Sequence, residues 1–295
     1  MDPGSPGSIG TFDLATASPA DMVDVARYPI TDLERPRSQA LVAQGRAALT
    51  ETGAWCLPGF LTREAVAAMV REVEPLVPLA YRGPTEATPY FYNYDATGFP
   101  DGHPRRRTTP RRLSQVAFDL IPEHLAIRRL YLWDAIPAFI ASVLGLERVY
   151  RSADPYQALN ISVMAEGGQQ QWHFDSNETN VTLLLQASEG GGEFEWVPGI
   201  RSDLDERYDA VGRVLDGVRD GVRSMAIEPG MLMLFRGRHA LHRVAPTRGR
   251  RLRLQSILGY NPEPGRVGSL QSSVLTYGPR VAAADQADAR RRGEP

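Results

Sequence analysis

The chain has 295 residues, a formal net charge of −2 and an ordinary hydrophobic share of 42%. That balance excludes a general attraction for nucleic acid or an anionic membrane surface. All 33 basic residues are arginine, so no lysine nucleophile or Schiff base is available, and the length allows roughly 75% of the unfolded surface to be buried without staples.

Cys56 is the only cysteine, so no intrachain disulfide can form, which fits a reducing cytoplasm. It lies in the apolar run Ala54-Trp55-Cys56-Leu57, where a buried structural thiol is the plain reading. There is no N-terminal secretion signal, and no apolar run approaches the ~20 residues of a membrane span. These features predict a cytoplasmic protein with no membrane partner.

In chain order, residues 1–20 are rich in Gly, Pro and Ser and predict a flexible tail. Helical spacing runs through 33–52 and stops at Gly53. A strand over 54–60 follows. Thr62 caps a second helix with Val66, Met69, Val70 and Val73 on its apolar face. Residues 81–112 hold many aromatics among prolines and glycines; they predict a long irregular loop, either a lid or a surface loop with docked aromatics. The run Arg105-Arg106-Arg107 reads as solvated surface. A long helix is predicted over 122–145.

Short strands then dominate: 156–165, 180–187, 192–197, 224–228, 231–236, 241–245 and 251–260. A helical insert interrupts them at 203–222. Many short strands at close spacing predict a sandwich or jelly roll. The expected organisation is one catalytic domain over 21–281. It has a helical part at 21–147 and a β core at 148–262, and a polar tail follows at 282–295.

Chemistry concentrates at Trp172-His173-Phe174-Asp175 and at Leu241-His242-Arg243-Val244. Side chains two residues apart on an extended chain point the same way, so His173 and Asp175 can reach one ion. Two histidines and one carboxylate make the facial triad of a non-haem Fe(II) oxygenase. An isolated His-x-Asp is more often structural; the downstream segment changes the odds. His239 and His242 are three apart and face opposite sides of a strand, so only one can join. His242 is chosen because arginines follow it at the spacing of a cosubstrate clamp, and His239 reads as a rim histidine. A guanidinium grips a carboxylate with two parallel bonds. Arg251 and Arg253 share parity on the next strand, and either could serve. Their bland reading is an exposed strand arginine.

The segments Asn160–Met164, Gln171–Asp175, Leu183–Gln186, Gly191–Phe194 and Leu241–Val244 resemble Fe(II)/2-oxoglutarate-dependent dioxygenases. The branch they resemble is the bacterial one containing free-amino-acid hydroxylases and halogenases. The resemblance covers about residues 115–262. It implies a mainly β fold with flanking helices around a double-stranded β-helix, the cupin-like jelly roll. It implies Fe(II), 2-oxoglutarate and O2 as cofactors. His173, Asp175 and His242 match the iron ligands, and Arg253 matches the 2-oxoglutarate arginine; in other branches that arginine falls where Arg251 stands. Asn160 matches a position that touches the cosubstrate. Halogenases of this branch replace the carboxylate ligand with a small residue. Asp175 therefore implies oxygenation, with hydroxylation of an unactivated C–H bond in a small metabolite such as an amino acid or its derivative. Trp172, Asn177 and Glu178 are candidate substrate contacts.

Two other classes fit parts of the pattern. A non-catalytic metal- or ligand-binding jelly roll needs no clamp. A metal-dependent hydrolase could use the same three ligands but gives the arginine no task.

Overall fold

The computed structural model describes residues 14, 16–90 and 96–285. Its centre is a pair of antiparallel sheets facing each other. The strands are β1 (Ala54–Leu57), β2 (Tyr81–Arg82), β3 (Ser114–Val116), β4 (Leu159–Met164), β5 (Gln170–His173), β6 (Asn180–Gln186), β7 (Phe194–Val197), β8 (Arg223–Met225), β9 (Leu232–Phe235), β10 (Leu241–Val244) and β11 (Arg253–Leu258). The larger sheet has seven strands in the order β1-β9-β6-β11-β4-β3-β2, and the smaller has four, β8-β7-β10-β5. This is the expected mainly β jelly roll with flanking helices.

The helices are α1 (Pro36–Thr52), α2 (Arg63–Val73), α3 (Ala126–Tyr131), α4 (Ala135–Leu144), α5 (Tyr208–Leu215) and α6 (Leu270–Tyr277). Alternation along the strands sorts the large sheet into two faces. Leu159, Ile161, Val163, Val181, Leu183, Leu185, Leu232, Leu234, Leu254 and Leu258 join residues of α1 to α4 in the main apolar core. The opposite face looks into the barrel. There Leu184, Met233 and Phe235 meet Phe194 and Trp196 of the small sheet. The same inner face carries Asn160, Ser162, Thr182, Arg253 and Gln255, all buried polar residues. A barrel interior that is apolar at one end and polar elsewhere is built to hold a polar ligand.

Several expectations change in detail. The helix predicted over 122–145 is two helices. Pro137 has no N–H and its ring would clash with the carbonyl of Trp133, so the chain breaks and restarts with Pro137 in the first turn of α4. Only Tyr208–Leu215 of the predicted insert is helical. The last strand begins at Arg253, so Arg251 lies before it. Of the predicted N-terminal tail, residues 1–13 lie outside the described residues. Leu14 is buried, a short helix Pro19–Met22 follows, and Arg129 donates to the carbonyls of Leu14 and Ala17. In the predicted polar tail, 282–285 are helical and 286–295 lie outside the described residues.

The 81–112 segment is less irregular than its composition suggests. Glu86–Ala87 pairs with Thr109–Pro110, and residues 91–95, where part of a lid would fall, lie outside the described residues. Arg105 is not solvated surface: it donates to Tyr208 Oη at 2.8 Å and packs over the Tyr90 ring at 4.6 Å. No described helix is long and apolar enough to cross a membrane.

Candidate metal centre

The small sheet brings the histidines together by register. Trp196, His242 and His173 lie side by side on β7, β10 and β5. Their side chains face the barrel, and both imidazoles are 3% exposed by residue, so water is largely excluded. Asp175 follows just beyond the end of β5. Its N–H donates to Gly237 O at 3.0 Å, which ties it to the turn between β9 and β10. The side chain of Asn180 donates to Asp175 Oδ2. Between the two ligand positions, Phe174 turns outward, and the Arg201 guanidinium packs 3.9 Å from its ring centre. Arg201 also donates to Arg238 O at 2.7 Å, bracing both segments that hold Asp175.

One atom from each of His173, Asp175 and His242 lies within 4.8 Å of the others, the one such cluster among the described residues. Asp175 Oδ2 is 3.0 Å from His242 Nε2, and Oδ1 is 3.5 Å from His173 Nε2. The tautomers follow from the other ring nitrogens. His173 Nδ1 is 2.8 Å from Gln171 O, and His242 Nδ1 is 2.9 Å from Ala240 O. A carbonyl only accepts, so Nδ1 of each ring carries the proton and Nε2 is left as the ligand atom. Burial, and next the imidazole of His242, hold His173 below the usual histidine range, which keeps it neutral. Removal from water works to raise the Asp175 carboxyl. Only charged rings at His242 and His173 outweigh it and hold the group far below the usual carboxylate range. The site thus offers two imidazole nitrogens and one carboxylate, the set that suits a divalent iron.

Residues 103–262 match the family model described as Halogenase D, more than half of the chain. The chain belongs to the Halogenase D family. Among solved structures, AviO1 from Streptomyces viridochromogenes Tue57 matches at 15% identity, covering 75% of this chain and 95% of that one, with a TM-score of 0.51. The epimerase SnoN in complex with Fe3+, alpha ketoglutarate and nogalamycin RO matches at 15% identity over 76% and 84% of the chains, TM-score 0.51. A Trichoplax adhaerens prolyl hydroxylase, in complex with a hypoxia inducible factor oxygen degradation domain peptide fragment, matches at 14% over 76% and 90%, TM-score 0.50. These likenesses show the fold. No curated protein matches the sequence.

The SnoN structure holds Fe3+ and alpha ketoglutarate, and the residues of this barrel fit a metal ion and a dicarboxylate of that kind. Besides the triad, the barrel holds a buried cation: Arg253 is 2% exposed and donates to Gln255 Oε1 at 2.6 Å. It makes no ion pair with a carboxylate among the described residues, and burial pushes its pKa down to about 10. A buried arginine without a carboxylate is costly unless an anionic ligand completes it. Ser162 Oγ and Thr182 Oγ1, on the same inner face, are buried and unpartnered, as are both amide atoms of Gln171 on β5. Gly192 makes room here: a Cβ at that position would stand 3.0 Å from Arg253 Cδ.

The other candidates from the sequence are placed as follows. Arg251 is exposed, and its guanidinium donates to the carbonyls of Ala187 at 2.8 Å and Ser188 at 3.3 Å, so it does not enter the barrel. Asn160 is on the inner face and accepts from Gln115 Nε2 at 3.3 Å. Trp172 lies on the outer face of β5. Alternation puts it opposite His173, in an apolar cluster with Leu241, Val211 and Val214. Asn177 is half-buried and Glu178 exposed on the bend after Asp175. His239 stays outside the triad, 3.2 Å from Asp203 Oδ1. Cys56 is half-buried and burial pushes its thiol up to about 12, an inert group at neutral pH.

Proposed function

We propose that this chain is a non-haem Fe(II)/2-oxoglutarate-dependent oxygenase. It hydroxylates an unactivated C–H bond of a small metabolite, an amino acid or an amino-acid-derived natural product. The observation that carries this reading is the Asp175 carboxylate lying against the Nε2 atoms of both buried histidines. His173, Asp175 and His242 would hold the metal. The metal with its cosubstrate and O2 would supply the oxidising power that no side chain here possesses.

The chain's own residues have distinct tasks. The Nδ1–H bonds to Gln171 O and Ala240 O fix both imidazoles before any metal arrives. Arg253, held by Gln255, takes the far carboxylate of 2-oxoglutarate as a fork in a dry setting, where a charge-assisted pair is strong. Asn160, beside Gln115, completes the polar floor. Phe235 and Phe194 pack 4.8 Å and 5.8 Å from the His242 ring and exclude water behind it. Asn177 and Glu178, on the bend after the carboxylate ligand, are the substrate-facing candidates. No general base is needed, and none stands beside the triad among the described residues.

The family description favours a second reading, halogenation. Asp175 opposes it, since a carboxylate already fills the position that a halide would need. The test is anaerobic addition of Fe(II) and 2-oxoglutarate, followed by O2 with chloride and a panel of amino acids. A visible absorption band on mixing, then succinate and a hydroxylated product without chlorine, is the expected result. A chlorinated product would overturn hydroxylation. No band and no succinate would leave a binding module, and turnover with Zn(II) alone would make the site a hydrolase.

A further inference from the structure

β7 and β8 pair as antiparallel neighbours, yet residues 198–222 lie between them, far more than a hairpin turn needs. This insert carries α5 and leans on two other parts of the chain. The first is the pair of segments that hold Asp175. Arg201 Nε donates to Arg238 O at 2.7 Å, and its guanidinium lies over the Phe174 ring. Phe174 precedes Asp175, and Arg238 follows Gly237, whose carbonyl anchors the Asp175 N–H. One side chain therefore reaches both segments that meet at the carboxylate. Asp175 needs that support more than the histidines do. His173 and His242 sit opposite each other on paired strands, whereas Asp175 lies past the end of β5.

The second part is the 96–108 segment. Arg105 Nε donates to Tyr208 Oη at 2.8 Å, and Arg107 pairs with Asp216 at 2.8 Å. Glu206 joins the two parts. One of its carboxylate oxygens accepts from Arg201 at 3.0 Å, and the other lies 3.5 Å from Arg105. Both guanidiniums also lie beside the Tyr90 ring, so without the carboxylate they would repel. The side chains of Arg201 and Arg105 are 15% and 14% exposed, and pairs this buried are screened far less than surface ones. The next residue, Arg207, has φ 47°, the one non-glycine in the left-handed region among the described residues. Such strain persists where surrounding contacts over-determine it, and here the turn aims Glu206 back at both arginines.

We propose that Arg201, held by Glu206, is a positioning residue for the carboxylate ligand. It fixes the spacing of the Phe174 and Arg238 segments and so the placing of Asp175 against the two imidazoles. The insert thereby couples the 96–108 segment to the metal centre. This rests on the metal-centre part of the reading above, and not on the cosubstrate.

The experiment is anaerobic titration of wild type, Arg201→Gln, Glu206→Gln and the double variant with Co(II) and with Fe(II), with a thermal melt of each. The visible ligand-field bands of bound Co(II) report ligand geometry without cosubstrate or turnover. Arg201→Gln should weaken both metals about tenfold and alter the Co(II) bands, the loss expected when a group that orients a ligand is removed. Glu206→Gln, nearly the same shape, should move the bands in the same direction by less; it carries the test if Arg201→Gln does not fold. The double variant should be no worse than Arg201→Gln, because both changes act through one side chain. Arg107→Gln, which breaks the pair at the far end of α5, should lower the thermal midpoint alone. Affinities within twofold and unchanged bands in both single variants would overturn the proposal, whatever the melt shows. So would an equal band shift in Arg107→Gln, since the insert would then act only by docking. If wild type binds Co(II) but forms no visible band with Fe(II) and 2-oxoglutarate, the oxygenase reading fails and this proposal stands on the Co(II) result. If wild type takes up neither metal, both fall.

Discussion

Gly237 and Asp175 approach so closely that a methyl group at position 237 would overlap the Asp175 carboxylate, and the Asn180 amide as well. Gly237 does not adopt a left-handed backbone, so glycine is required for space and not for φ. The missing Cβ lets the turn after β9 cradle the carboxylate, with the Asp175 N–H to Gly237 O bond at 3.0 Å as its anchor.

Gly237→Ala should therefore push the carboxylate away from the imidazoles while leaving the sheets intact. Displacing a group that orients metal ligands costs roughly 10–100-fold in metal affinity. Fe(II) titration should show a loss in that range, with a far-ultraviolet spectrum like wild type. Affinity within twofold of wild type would mean that Asp175 is not the group that holds the ion.

Arg253 gives a second prediction. Its pKa is lowered to about 10 by burial, against 12.5 for the ordinary group. In the unfolded chain the proton is bound more tightly, so below about pH 10 the folded state carries the cost of a desolvated cation. That cost relaxes only as pH rises above about 10. At neutral pH an anion in the barrel offsets it. 2-Oxoglutarate with a redox-inert divalent ion should raise the thermal midpoint by a few degrees at ~100 times its Kd. Arg253→Ala should abolish that shift and raise the Kd at least tenfold, whereas Arg251→Ala should leave both unchanged. The reverse outcome would assign the clamp to Arg251.

Much of this arrangement can be read from the residues, and what escapes does so for local reasons. The meeting of His173 with Asp175 follows from their spacing and that of His242 from its place on a later strand. The jelly roll follows from short strands at close intervals. Arg251 and Arg253 have the same parity, so periodicity cannot separate them; only the start of β11 at Arg253 does. Trp172 adjoins His173 in sequence, and on a strand that places it on the other face. The signal for Gly237 is present in Arg236-Gly237-Arg238, but its partner Asp175 lies far away in sequence.

Trp172 supplies the last test. It is 5% exposed and packed with Leu241, Val211 and Val214, and the Arg243 guanidinium sits 4.8 Å from its ring centre. Arg243 is held in turn by Glu195, which Arg219 also grips. This layer covers the outer side of the sheet whose inner side bears both histidines. A substitution here acts on stability. Trp172→Phe should cost about 1–3 kcal/mol and lower the thermal midpoint by several degrees, with Fe(II) and 2-oxoglutarate affinities within twofold of wild type. The measurements are a thermal melt and the same anaerobic titrations. An unchanged melt combined with an altered product or substrate preference would place Trp172 against the substrate, contrary to the face on which its strand sets it.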